Sequence, residues 1–408
     1  MDKSKKVYMY AYLFSFLVFS GLFVMFVYNK ISNDKLKERK ENAKINNMIS
    51  SGNYKEAIDS IEQGGDKKLD RDAKLKLLSA YLNYGNYFHK EDENSKKAIE
   101  ILDTMADDYS KFYYYGYALE IIKDYTGALD NYNKGLEITS LTDSQKSLFK
   151  NQIGHVYDLK GEFDKVLAFY DEAYKLDNNN DNALSNLGRY YARIKEYEKA
   201  KQYFEKALLI STNLPLKSEI CFGLSSIELE INGLTPDIDK SIEYARKAIE
   251  FYPEYAMGHL ALARGLYMKN NEVNNKEIEE NIKKAIDLNP NSYYTYELSA
   301  MHEYDKGNMD EFLNNLQKAE ALIATDMILM DNQRETEKIV VNYKYFVFNE
   351  IQKNKKDKEK VIAFLNNVIA SNMGKSLLKQ QIQRFNNGIF GFIGEDKRLK
   401  DIINKLNK

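Results

Sequence analysis

Asp177 to Gly188 reads DNNNDNALSNLG, with Asp177, Asn179 and Asp181 at alternate positions, as the oxygen ligands of a calcium loop stand. Such a loop also needs a glycine at its sixth position and a bidentate glutamate at its twelfth. Those places hold Asn182 and Gly188, so the stretch reads as a polar connector ending in a helix cap. Met373 to Ser376, MGKS, has the tail of a phosphate-binding loop, but Ile369 stands where the first glycine is required and the flank reads as helix, not strand. Gly388 to Gly394, GIFGFIG, has glycines three apart without a strand-then-helix frame; it reads as an apolar turn packing Phe390 and Phe392, a patch that also suits a partner or lipid. His89, His155, His259 and His302 are far apart and none lies in an H-E-x-x-H frame. The single cysteine, Cys221, excludes an internal disulfide framework and a cysteine-rich zinc module, and reads as a structural thiol. No constellation for nucleophilic, acid–base or metal chemistry emerges, so the expectation is a non-enzyme with no cofactor and no metal.

The elements that carry these residues follow from composition. The chain has 408 residues, 44% apolar and 29% charged, so most of it can fold. Its 59 basic and 61 acidic side chains leave a formal charge of -2, which argues against a nucleic-acid partner. Four prolines in such a length suit a nearly all-helical protein, because proline breaks helices.

After the basic tail 1–6, residues 7–28 (VYMYAYLFSFLVFSGLFVMFVY) contain no charge. At ~1.5 Å per residue they cover a ~30 Å hydrocarbon core, and Tyr8, Tyr10, Tyr12 and Tyr28 stand near its ends, where amphipathic rings suit the interfaces. A cleaved signal would end at a small-x-small site, and none follows. The expectation is a single-pass transmembrane helix in contact with the lipid bilayer, then a linker at 29–37. Lys3, Lys5 and Lys6 before it and Lys30, Lys35, Lys37, Arg39 and Lys40 after it leave the side of the body open.

The rest of the chain repeats. Shifted by 34 residues, Ile153-Gly154 falls on Leu187-Gly188, Tyr157 on Tyr191, Phe163 on Tyr197, Val166 on Ala200, Tyr170 on Phe204 and Ala173 on Ala207. A fixed period of this size means stacked supersecondary units. Within each, apolar residues recur at three and four and are broken once by a polar turn (DLKGE, RIKEY), the pattern of two amphipathic helices in a hairpin.

This resembles the tetratricopeptide repeat. The units carrying the likeness are Phe112, Tyr115-Gly116, Leu119, Tyr125, Ala128, Tyr132 and Gly135; the 153–173 set; and Leu184, Leu187-Gly188, Tyr191, Tyr197, Ala200, Phe204 and Ala207. Units around Phe222-Gly223, Leu260-Ala261 and Ser299-Ala300 agree less closely, as do two before residue 104, and inner turns stretch at 89–95, 232–239 and 270–275. About eight hairpins fill 38–325, and 326–408 reads as a helical cap or small helical domain. The implied fold is an all-α, right-handed superhelical solenoid. Gly188, like Gly116 and Gly154, is expected to let the second helix of its hairpin approach; an alanine is expected to fit there and a leucine to force the hairpin apart.

The resemblance further implies that the first helices of the hairpins line a concave groove for an extended peptide or a helix of a partner. The matching positions are Tyr113, Tyr117, Asn151, His155, Asn182, Ser185 and Arg189. Some relatives clamp a C-terminal carboxylate with two Lys, two Asn and one Arg. Here those places hold Asn151, His155, Asn186, Lys217 and Cys221, so that clamp is not expected. The leading expectation is a membrane-anchored scaffold or adaptor that binds a protein or peptide, in envelope assembly, secretion or chaperone-like work. The alternatives are an enzyme or lipid-handling activity within 331–408, and a self-associating structural protein; the oligomeric state stays open.

Overall fold

A computed structural model describes residues 39–63, 71–88, 91–230, 236–269 and 275–325, with isolated positions at 28–37 and 359–366. Every regular element among the described residues is an α-helix. The first, α1, is described over 39–50. Then follow α2 (Tyr54–Glu62), α3 (Arg71–Phe88), α4 (Glu91–Asp103), α5 (Tyr109–Ile121), α6 (Tyr125–Leu136), α7 (Asp143–Leu159) and α8 (Phe163–Leu176). The chain continues with α9 (Asp181–Arg193), α10 (Tyr197–Ile210), α11 (Leu214–Glu230), α12 (Ile238–Phe251), α13 (Ala256–Lys269), α14 (Asn275–Leu288), α15 (Tyr293–Asp305) and α16 (Met309–Thr325). Odd-numbered helices are the A helices of the repeats and even-numbered ones the B helices. The turn expected across 89–95 is shorter than the spacing suggests, because α4 starts at Glu91. The apolar run at 7–28 lies, apart from Tyr28, outside the described residues, and so does almost all of 326–408. Among the described residues no helix is long and apolar enough to cross a membrane.

Two compact units divide the chain: residues 1–156 with 212–215, and 157–211 with 216–408. In both, helix starts are set by short polar side chains. Asp108 accepts from Lys111 N–H, Asp124 from Gly127 N–H, Asn180 from Ala183 N–H and Asp237 from Lys240 N–H, each at 3.0 Å. Thr142 and Gln145 cap α7 reciprocally, at 2.9 and 3.2 Å. The Asn180 bond is the cap expected from the polar connector at 177–182.

Five inner turns share one geometry. A residue with positive φ follows helix A, at Gly52 (82°), Lys123 (66°), Gly161 (73°), Lys195 (63°) and Gly307 (81°). The amide of the next residue reaches back five positions, as Asp124 N to Leu119 O (2.8 Å) and Glu196 N to Tyr191 O (2.9 Å), so helix A ends with its last carbonyls satisfied.

Small residues on one helix receive large rings from another. In the first unit, Tyr132 of α6 is fully buried, and a Cβ built on Gly116 of α5 would lie 2.4 Å from its ring. In the second, a Cβ on Gly188 of α9 would lie 2.7 Å from the ring of Phe204 of α10, and one on Gly223 of α11 2.8 Å from the same ring. The expectation that alanine fits at Gly188 is therefore corrected: a methyl group already collides, because Phe204 fills the space. Phe204, 2% exposed, packs with Leu184, Ala200, Ala207, Ile220 and Leu224 into one core, and burying such a ring contributes about 2–3 kcal/mol. The first unit's core joins Leu78, Leu82, Ala98 and Leu102 to Ile45 of α1 and Ala57 of α2.

Candidate functional site

The A helices of each unit carry the candidate groove positions, and the two units place them differently. In the first unit Tyr113 lies among rings, its centroid 6.3 Å from that of Tyr132 and 5.9 Å from that of Phe149. Tyr117 packs against the core of Leu78 and Leu82. Both are half-buried in packing. Asn151 is 2% exposed and donates to Gln152 Oε1 at 3.0 Å, so it lines no open surface. His155 is partly exposed, and its Nδ1 lies 2.7 Å from Oε1 of Glu120. A carboxylate only accepts, so this contact puts a proton on Nδ1.

Glu120 is the centre of that network. It is 4% exposed and also accepts from the Tyr132 hydroxyl at 3.1 Å. Burial, and after it the Glu120 charge, holds the Tyr132 phenol well above its ordinary pKa, so it remains a donor. The network locks α5, α6 and α7 together.

In the second unit Asn182 and Arg189 are exposed, while Ser185 between them is 2% exposed and faces the packing. Asn182 and Arg189 are seven residues apart, about two turns along one face of α9. The Arg189 guanidinium donates to Asn186 and lies 3.7 Å from Glu219 of α11. Its side chain stays 48% exposed, against 21% for Glu219. Phe222, one turn along α11, meets Tyr255 edge-on at 6.2 Å. Burial first, then Glu219, push the Tyr255 phenol far up, and Arg189 opposes them. The result is a half-exposed arginine side chain whose charge acts on the Tyr255 phenol.

Polar bridges between successive A helices recur in the second unit. Arg193 of α9 donates to Asp158 of α7 at 3.1 Å, Arg264 of α13 lies 3.6 Å from Glu230 of α11, and Tyr267 of α13 donates to Asp305 of α15 at 2.7 Å. Glu120, Glu219 and Tyr255 were not singled out by spacing. The available signal was charge one period apart, since Glu120 and His155, and Asp158 and Arg193, are each separated by 35 residues.

Other candidate chemistry is absorbed by structure. Cys221 is 0% exposed, and burial pushes its thiol up to about 12. The His259 ring nitrogens meet Asn281 at 2.8 Å and the Pro253 carbonyl at 2.9 Å. Among the described residues no group of three or more His, Cys, Asp or Glu is placed to hold a metal.

Residues 149–180 and 181–214 each match a family model described as Tetratricopeptide repeat. The chain thus contains tetratricopeptide repeats within an all-α array. It is similar to the BBSome complex member BBS4 of Bos taurus, 26% identical over 189 residues, which are 45% of this chain and 34% of that protein. It is also similar to a TPR repeat-containing protein of Methanocaldococcus jannaschii, 24% identical over 51% of this chain and 35% of that one. The chain spans about a third of the length of these curated relatives. Among solved structures, the human IFIT1 dimer with PPP-AAAA is 15% identical over 87% of this chain and 86% of that one, with a TM-score of 0.49.

Proposed function

We propose that this chain is a single-pass membrane scaffold whose repeats hold an extended segment of a protein partner, with the Arg189 face of the second unit as the contact. The observation that carries the reading is the half-exposed guanidinium, loosely held at 3.7 Å from Glu219. Its remaining N–H groups suit backbone carbonyls of an extended strand, Asn182 offers a donor and an acceptor two turns back, and Phe222 and Tyr255 add ring area. Glu219 beside the arginine disfavours a terminal carboxylate, so an internal segment fits better than a chain end. The scaffold is non-catalytic. Residues 7–28 anchor it in the bilayer by their length and apolar character, and presentation of a partner at a membrane suits envelope assembly, secretion or chaperone-like work.

Photo-crosslinking in cells tests the contact. A photoreactive residue at 189 should capture a discrete partner, and one at Leu209, 84% exposed on α10, serves as the control. Equal capture from both positions removes the reading. Extraction of membranes with alkaline carbonate tests the anchor, which should stay in the pellet.

A further inference from the structure

We propose that His155 is a second partner contact, one that takes up a proton when it binds a main-chain carbonyl. The inference rests on the reading of the A-helix face as a partner surface. Glu120 Oε1 holds the Nδ1 proton of His155 at 2.7 Å, so the other ring nitrogen decides what the residue binds. Among the described residues nothing hydrogen-bonds to Nε2, yet that atom is not buried. The side chain is 31% exposed, and it bridges the successive A helices α5 and α7. His155 also occupies a position that the repeat assigns to the groove, one period before Arg189.

The surroundings call for a second proton on the ring. Glu120 is a buried charge whose bonded partners are the Tyr132 hydroxyl and His155, with no lysine or arginine paired to it among the described residues. A buried carboxylate held by neutral donors alone is costly, and a cation beside it offsets that cost. Tyr132 and Tyr125 of α6 also face Glu120. Burial first, then the Glu120 charge, raises both phenols, so they stay neutral. Asp158, one turn along α7, is held by Arg193 of α9. Among the described groups the imidazolium is the counter-ion left for Glu120, and an acceptor seated on Nε2–H keeps its second proton in place. A neutral main-chain carbonyl fits there, whereas a carboxylate would set a second negative charge across one ring from Glu120. The carbonyl-bound state holds a proton that the neutral ring lacks, so affinity rises as the pH falls, by up to about tenfold per unit. A partner that donates to Nε2 would give the opposite slope.

The test uses the full chain in isolated membranes, with a photoreactive residue at Leu148, two turns from His155 on the same face of α7. The discrete species captured should be about fivefold more abundant at about pH 6 than at about pH 8. His155→Gln, which does not titrate, should bring that ratio to unity. His155→Lys, charged throughout the range, should capture at the higher pH as well as the unaltered chain does at the lower, which also shows that the altered helix is folded. Equal capture by the unaltered chain at both pH values overturns the proton uptake. Greater capture at the higher pH makes Nε2 an acceptor and overturns the carbonyl. Capture from position 189 with none from position 148 removes His155 as a contact and leaves the A-helix reading standing, whereas capture from neither removes that reading itself.

Discussion

The Glu120–His155 bridge in the first unit and the Arg189–Glu219 bridge in the second both join successive A helices, yet they end in opposite states. Glu120 is 4% exposed, accepts from a buried phenol and touches an imidazole at 2.7 Å. Arg189 is 48% exposed, and its carboxylate stands 3.7 Å off. The difference follows from what surrounds each pair. Tyr113, Tyr132 and Phe149 close over the first and leave the carboxylate dependent on its protein partners. Around the second, Phe222 and Tyr255 meet each other edge-on and the Arg189 side chain stays 48% exposed. The repeat position of His155 and Arg189 thus joins a buried network in one unit and stays half-exposed in the other.

The comparison breaks most visibly at Glu120. Glu120→Ala strands the Tyr132 hydroxyl and should cost about 3 kcal/mol, seen as a roughly 100-fold faster hydrogen exchange of α5 and α6 amides. Unchanged exchange there would mean the carboxylate is not structural. The next effect is steric. Gly116→Ala, whose methyl would sit 2.4 Å from Tyr132, should cost about 2–3 kcal/mol, and Gly188→Ala, at 2.7 Å from Phe204, about 1–2 after the helix-propensity gain. Thermal unfolding followed by circular dichroism ranks the two. A gain comes third: Lys123→Gly and Lys195→Gly relieve positive φ angles of 66° and 63° and should each stabilise by about 0.5 kcal/mol. A loss in either would show that the lysine side chain holds its turn in another way. Arg189→Ala should have the smallest effect on stability, within about 0.5 kcal/mol, because a half-exposed pair contributes little. It should weaken partner capture all the same; a variant that unfolds would make Arg189 a second Glu120.

The repeat itself was legible at the level of residue types. The Gly188–Phe204 pairing, the aromatic residue opening α2, α6, α8 and α10 and the polar turn before it recur because each depends on local helix geometry. Side-chain direction across the A helices was not legible. Ser185 and Asn151 face the packing while Arg189 faces solvent, and a few tens of degrees of rotation about the helix axis decide which. That rotation is set by neighbouring helices, which leave Tyr113 and Tyr117, read as groove positions, half-buried in packing. The bridges were half legible: the 35-residue offset of opposite charges was in the sequence, but which offsets meet depends on how each hairpin stacks.

Phe204 belongs to two interfaces at once, seated on Gly188 of its own hairpin and on Gly223 of the next. None of α9, α10 and α11 can melt without uncovering one side of that ring. In a chain of nearest-neighbour units, a residue shared in this way lengthens the stretch that opens in a single step. Fraying that reaches α11 therefore does not stop there: it carries α9 and α10 with it, and the face bearing Arg189 is present or absent as a whole.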